Sequence, residues 1–139
     1  MTNGTKIYVT FCDINRLSIM LDSSRTMGGE NQSSINILKN KLKRAQIVTP
    51  ESIPKDVITM NSTFVFRNLV SGKPMTYTIV YPKDADISTK RISILTPVGI
   101  SLFGQSCGDR ILANIPSGTL RLKIERVLYQ PEAKGVYLS

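Results

Sequence analysis

The apolar residues change their period once, near Thr49, and that change fixes the class of fold open to the chain. Ahead of it, Ile35, Leu38, Leu42 and Ala45 recur at steps of three, four and three. That is one stripe of an amphipathic helix of roughly 13 residues, ended by Thr49 and Pro50. Beyond it, STFVFRNL (62–69) and MTYTIVY (75–81) are rich in β-branched and aromatic residues, and SGKP (71–74) between them reads as a turn. TPESIPKD (49–56) carries two prolines and three charges without periodicity, and it reads as a linker. A helical part and a strand part that follow one another in this way make an α+β chain. The expected division is a helical hairpin over 1–50, a linker over 51–58 and a sheet domain over 59–139.

A second helix precedes the first stripe. Thr10 and Asp13 stand three apart just ahead of Ile14, Leu17, Met20 and Leu21, so Thr10 can cap a first turn whose positive dipole end receives Asp13. This predicts a helix over about 11–23, followed by the loop SSRTMGGENQSS (23–34) and then the helix of Ile35. Two helices so joined form an antiparallel hairpin. In the strand part, RISIL (91–95) leads to Thr96 and Pro97, and VGISLFG predicts a short buried helix closed by Gly104. Two more strands, 110–115 and 119–129, flank a turn at Pro116, Ser117 and Gly118. In the second, Leu120, Leu122, Ile124 and Val127 take one face, while Arg121, Lys123 and Glu125 take the other. That alternation belongs to an antiparallel sheet with one wet face.

With no histidine in 139 residues, Ser-His-Asp and Cys-His catalysis, His-ligated metals and the usual neutral-pH proton shuttle are excluded. There is no CxxC pair, no GxGxxG and no GxxxxGK[ST], so neither a metal nor a cofactor is expected. Cys12 and Cys107 are too few for a disulfide framework, and with no signal peptide at the start both read as reduced cytosolic packing residues. No apolar run reaches the roughly 18 to 20 residues that span a bilayer.

Eighteen basic against ten acidic residues leave a charge of +8, which favours a polyanionic partner. Lys39, Lys41, Lys43 and Arg44 lie opposite the apolar stripe, where the plain reading is a solvated face and the functional one a basic surface for weak nucleic-acid contact. Arg121, Lys123 and Arg126 could join them in a nucleic-acid-binding module. Only 6% of residues are aromatic and none is Trp, so a base-stacking platform is poorly supplied.

The run from Val57 to Tyr129 resembles the C-terminal domain of the bacterial Gre transcript-cleavage factors. The resemblance rests on the paired strands of TFVFRNLVSGKPMTYTIVY, the Pro-Val-Gly helix start at 97–99 and the Gly-Asp turn at Gly108 and Asp109, all behind a helical hairpin. VITMNS (57–62) and VLYQPEA (127–133) narrow it to a branch named for regulation of nucleoside diphosphate kinase. It implies an FKBP-like domain that docks on the β′ coiled coil of RNA polymerase beside the secondary channel, with a coiled-coil hairpin pointing into that channel. The polymerase contact then falls on Leu95, Thr96, Pro97, Val98 and Gly99, where Leu95 and Thr96 replace the family's acidic residue and Ser. Gre factors act by placing tip carboxylates beside a metal ion at the polymerase active site. Here the tip offers Asp22, Arg25 and Glu30 on arms of only about 20 Å, roughly half a Gre-type arm, so no catalytic role is expected. The resemblance implies a monomeric, cytoplasmic regulator that excludes Gre-type factors from polymerase and influences nucleoside diphosphate kinase levels indirectly. The rival enzymatic reading is a prolyl isomerase, prompted by the FKBP-like topology alone.

Overall fold

Thr10 starts the first helix as its spacing predicts: its Oγ1 accepts the Asp13 amide at 3.0 Å. In the computed structural model, which describes residues 6–24 and 32–136, helix α1 runs Phe11–Ser24 and helix α2 runs Gln32–Arg44. Leu17, Leu21, Ile35, Leu38 and Leu42 are all buried, as the stripes require. The hairpin tip, including Arg25 and Glu30, lies outside the described residues.

Strands missing from the sequence reading flank the hairpin. Strand β1 (Tyr8–Thr10) leads into α1, strand β2 (Gln46–Val48) leaves α2, and the two pair in parallel with Tyr8 opposite Gln46 and Thr10 opposite Val48. Helix α2 therefore ends at Arg44 rather than at Thr49 and Pro50. Ile47 and Val48 are β-branched, and β1 offers them a ladder.

Strands β3 (Thr63–Asn68), β4 (Pro74–Val80), β5 (Arg91–Ser93), β6 (Arg110–Ile115) and β7 (Gly118–Tyr129) form one sheet in the order β5-β4-β3-β7-β6. Its pairings are antiparallel except at the edge, where β5 runs parallel to β4, against the expectation of a wholly antiparallel sheet. The reason is the connection: two short 3-10 turns, Pro82–Asp84 and Ile87–Thr89, and Lys90 at φ 63° carry the chain back to Thr78, so that β5 runs alongside the second half of β4. Irregular pairing between β3 and β7 shifts the register between Val65 and Phe66, which lets Val127 face inward one residue out of step with the alternation that buries Ile124.

The inner sheet face, through Phe64, Phe66, Ile79, Ile111, Leu122 and Ile124, shares one buried cluster with the helices. The segment 51–58, expected as a linker, is stitched into that body. Ile53, Val57 and Ile58 are buried, Ile58 N donates to Gln105 O at 2.9 Å, and Cys107 N donates to Asp56 O at 3.0 Å. The C-terminal stretch closes over it: Gln130 Nε2 donates to the carbonyls of Pro54 and Val57, both at 2.8 Å, and Glu132 accepts the Thr59 hydroxyl at 2.8 Å. Cys107 packs against the core, and burial raises its thiol pKa.

Asp13 does not face solvent at the helix end. It is buried, and its Oδ2 accepts the Met60 amide at 3.1 Å, tying α1 to the sheet domain. Burial pushes its carboxyl from 3.8 to about 7; the Met60 amide and Arg16 pull against this, and nearby Glu132 adds to it. Because the folded-state pKa lies above the unfolded one, this group's stabilisation is full below the unfolded value and is lost as pH rises toward about 7. Asp13→Asn keeps an oxygen for the Met60 amide. It should flatten the fall in urea midpoint between about pH 4 and pH 7 seen for the wild type.

Candidate functional site: the turn from β5 into α3

Helix α3 (Pro97–Leu102) is the short buried helix expected after β5, and the turn that starts it holds the candidate contact residues. Thr96 is the N-cap, extended at φ −79° and ψ 153°; its Oγ1 accepts the Gly99 amide at 3.0 Å and donates to Ser93 O at 2.7 Å. Pro97 sits in the first turn, where a missing N–H costs nothing. Leu95 N donates to the Ser93 hydroxyl at 3.0 Å, and Ser101 Oγ donates to Pro97 O at 2.8 Å. The hydroxyls of Ser93, Thr96 and Ser101 are therefore all engaged within the turn itself.

The five expected contact residues divide. Pro97 is exposed and Thr96 and Val98 are half-buried, whereas Leu95 and Gly99 are buried and serve the turn from inside. Gly99 is required by space: a Cβ there would sit 2.4 Å from Ser93 O and 2.9 Å from Thr96 Oγ1. Gly104, just past the helix at φ 81°, lies against β1, and its carbonyl accepts Tyr8 N at 3.0 Å.

The expected basic face of α2 is not one face. Lys41 is buried, and its Nζ donates to Ile100 O at 2.7 Å and Ser101 O at 3.1 Å, capping the C-terminal end of α3. Burial lowers its pKa from 10.5 to about 7; Arg44 lowers it further and Asp109 draws it back. Lys39 and Lys43 lie on the other flank of α2, lining a cleft with Ile14, Leu21 and Asp22 of α1. Arg44 is exposed beside Lys41, where a cleft of about 160 Å³ also takes in Ile37, Gln105 and Leu112. The signal for Lys41 was present: at about 100° per residue it falls beside Ala45 on the edge of the apolar stripe, three residues after Leu38. Its acceptors, some 60 residues away, had no sequence signal.

An α+β chain with a helical hairpin, a five-stranded sheet and a proline-started helix at its edge has known counterparts. Residues 53–129 match the family described as "Transcription elongation factor, GreA/GreB, C-term", and the chain belongs to the GreA/GreB family. Along its length it is similar to the Regulator of nucleoside diphosphate kinase of Escherichia coli K12, 38% identical over 133 residues that cover 95% of this chain and 96% of that protein. It is also similar to Transcription elongation factor GreA of Chlorobium limicola, 33% identical over 104 residues, 74% of this chain and 65% of that protein. A solved structure titled prokaryotic transcription elongation factor GreA/GreB from Nitrosomonas europaea matches at a TM-score of 0.71 and 42% identity, covering 89% of this chain and 98% of that one.

Two substitutions test the turn. Gly99→Ala is expected to destabilise the protein by about 1–3 kcal/mol in urea unfolding, since a backbone carbonyl stands where the methyl must go. The Lys41 amine has a folded-state pKa below its unfolded one, so its contribution grows as pH rises from about 7 toward 10.5. Lys41→Met should abolish that alkaline gain in urea midpoint.

Proposed function

We propose that the chain is a non-catalytic, RNA polymerase-binding regulator of transcription that docks through the Thr96–Pro97 turn at the β′ coiled coil beside the secondary channel. In doing so it keeps Gre-type cleavage factors from the same position. Family membership supports this kind of partner. The observation that carries the finer reading is the pre-formed turn: Thr96 caps Gly99 at 3.0 Å, and exposed Pro97 projects from a turn whose Ser93, Thr96 and Ser101 hydroxyls are already hydrogen-bonded within it. A surface rigid before binding loses little freedom on docking.

The hairpin fits exclusion better than chemistry. Arms of 14 and 13 residues reach about 20 Å, enough for the mouth of a channel, with Asp22 exposed near the end of α1. Together with an FKBP-like sheet domain it would act as a short plug of coiled-coil type. On this reading the protein works as a cytoplasmic monomer, and any effect on nucleoside diphosphate kinase passes through transcription.

Capture of core RNA polymerase on immobilised protein tests the proposal. Thr96→Asp with Pro97→Ala keeps a capping oxygen and the fold, so the melting temperature should stay within a few degrees, while polymerase retention falls at least about tenfold. A Gre factor in excess should displace polymerase from the wild type. Retention that ignores both the substitution and the competitor would sink the shared dock.

A further inference from the structure

The outer face of the sheet breaks a rule of strand pairing. Arg67 of β3 stands directly opposite Lys123 of β7, and Lys123 stands directly opposite Arg110 of β6. Three cations thus share one row across three strands, at a spacing of about 4.8 Å per strand, where like charges repel. Arg121, two residues along β7 on the same face, pairs with the exposed Leu112, and Arg126 is brought to this side opposite Val65 by the register shift. Against these five cations the face sets one carboxylate, Glu125, whose partner at 3.2 Å is Arg67. Arg67 is further held by Gly72 O at 2.6 Å. Arg110, Arg121, Lys123 and Arg126 form no ion pair with a described residue, and Glu125 is held low by Arg67 first and by Lys123 and Arg126 beyond it.

A fold does not gain by lining up like charges. Apolar or mixed side chains would suit a half-wet sheet better, so the row is explained by something outside the chain. Helix α3 packs on the inner side with Ile111, Leu122 and Ile124, so the cationic face points away from it. Among the described residues this face exposes one aromatic ring, Tyr129 opposite Thr63 at the far end of β7, while Phe64 and Phe66 are buried on the inner side. A single ring beyond Arg126 makes no stacking platform for successive bases, so single strands gain little here. Dense, regular negative charge is what such a surface attracts most, and a duplex carries about one charge per 1.7 Å of axis.

We propose that the outer face of β3, β7 and β6, through Arg110, Arg121, Lys123 and Arg126, binds the phosphate backbone of double-stranded nucleic acid without reading its sequence. The inference does not rest on the polymerase reading. It places a second, electrostatic contact on the side of the sheet opposite α3, so a protein partner at the Thr96–Pro97 turn and a duplex at the sheet face need not compete.

Fluorescence anisotropy of a labelled 20-base-pair duplex with the whole protein tests it, with salt as the variable. Binding should weaken steeply between about 50 and 200 mM salt, with a log–log slope of about −3 to −4 for the four cations. Arg110→Gln, Arg121→Gln and Lys123→Gln together should reduce affinity at least about tenfold and bring the slope to about −1, the share left to Arg126. The same triple substitution should raise the melting temperature by about 2 °C at low salt, since the repulsive row is gone, which also shows that the variant is folded. Lys39→Gln with Lys43→Gln should leave duplex binding unchanged. Three results would each overturn the proposal: triple-variant binding equal to wild type, loss of binding in the Lys39 and Lys43 variant instead, or displacement of the duplex by an equal charge of poly-glutamate, which would make the ligand an acidic protein segment.

Discussion

The Lys41 ammonium on the carbonyls of Ile100 and Ser101 is the contact on which the relation of the two halves depends. It joins the second hairpin helix to the far end of α3, whose near end is the Thr96–Pro97 turn. An amine this buried is costly, and its two acceptors are backbone oxygens that the end of a helix would otherwise leave unpaired. Each side thus supplies what the other lacks. Asp13 repeats the arrangement from the first helix, with a buried carboxylate oxygen accepting the Met60 amide. Two buried polar anchors, one accepting and one donating and one on each helix, fix where the hairpin points relative to the turn.

These anchors show what was and was not legible in the sequence. Periodicity placed α1 and every long strand to within a residue or two, and α2 at its stripe though not at its end, because amphipathic spacing and β-branched runs report burial directly. The cap at Thr96 follows the local rule for a helix start ahead of proline, whereas the need for glycine at 99 comes from the close approach of the Ser93 carbonyl, which only the folded turn reveals. Strands β1 and β2 escaped because three-residue strands have no period to read and owe their existence to each other. Lys41 was grouped with its neighbours by charge, although its angular position set it apart. The buried role of Asp13 depends on Met60, a partner 47 residues distant that no local pattern announces.

The sheet shows the same limit from the other side. Alternation along β7 identifies Arg121, Lys123 and Glu125 as outward-facing. Only the register across strands reveals that Lys123 stands between two arginines. Charge composition is a property of the chain, whereas charge alignment is a property of the pairing. The net charge of +8 acquires a location once strands are set side by side.

The parallel pairing of Tyr8–Thr10 with Gln46–Val48 has a consequence for the hairpin as a part. Both ends of the helical arm are clasped together at its root, so helix α1 leaves the body and helix α2 re-enters it at one place. Such an arm can be lengthened or trimmed by whole helical turns without shifting the sheet or the α3 turn. An arm of adjustable length on a constant body needs a root of this kind, and in this chain six residues provide it.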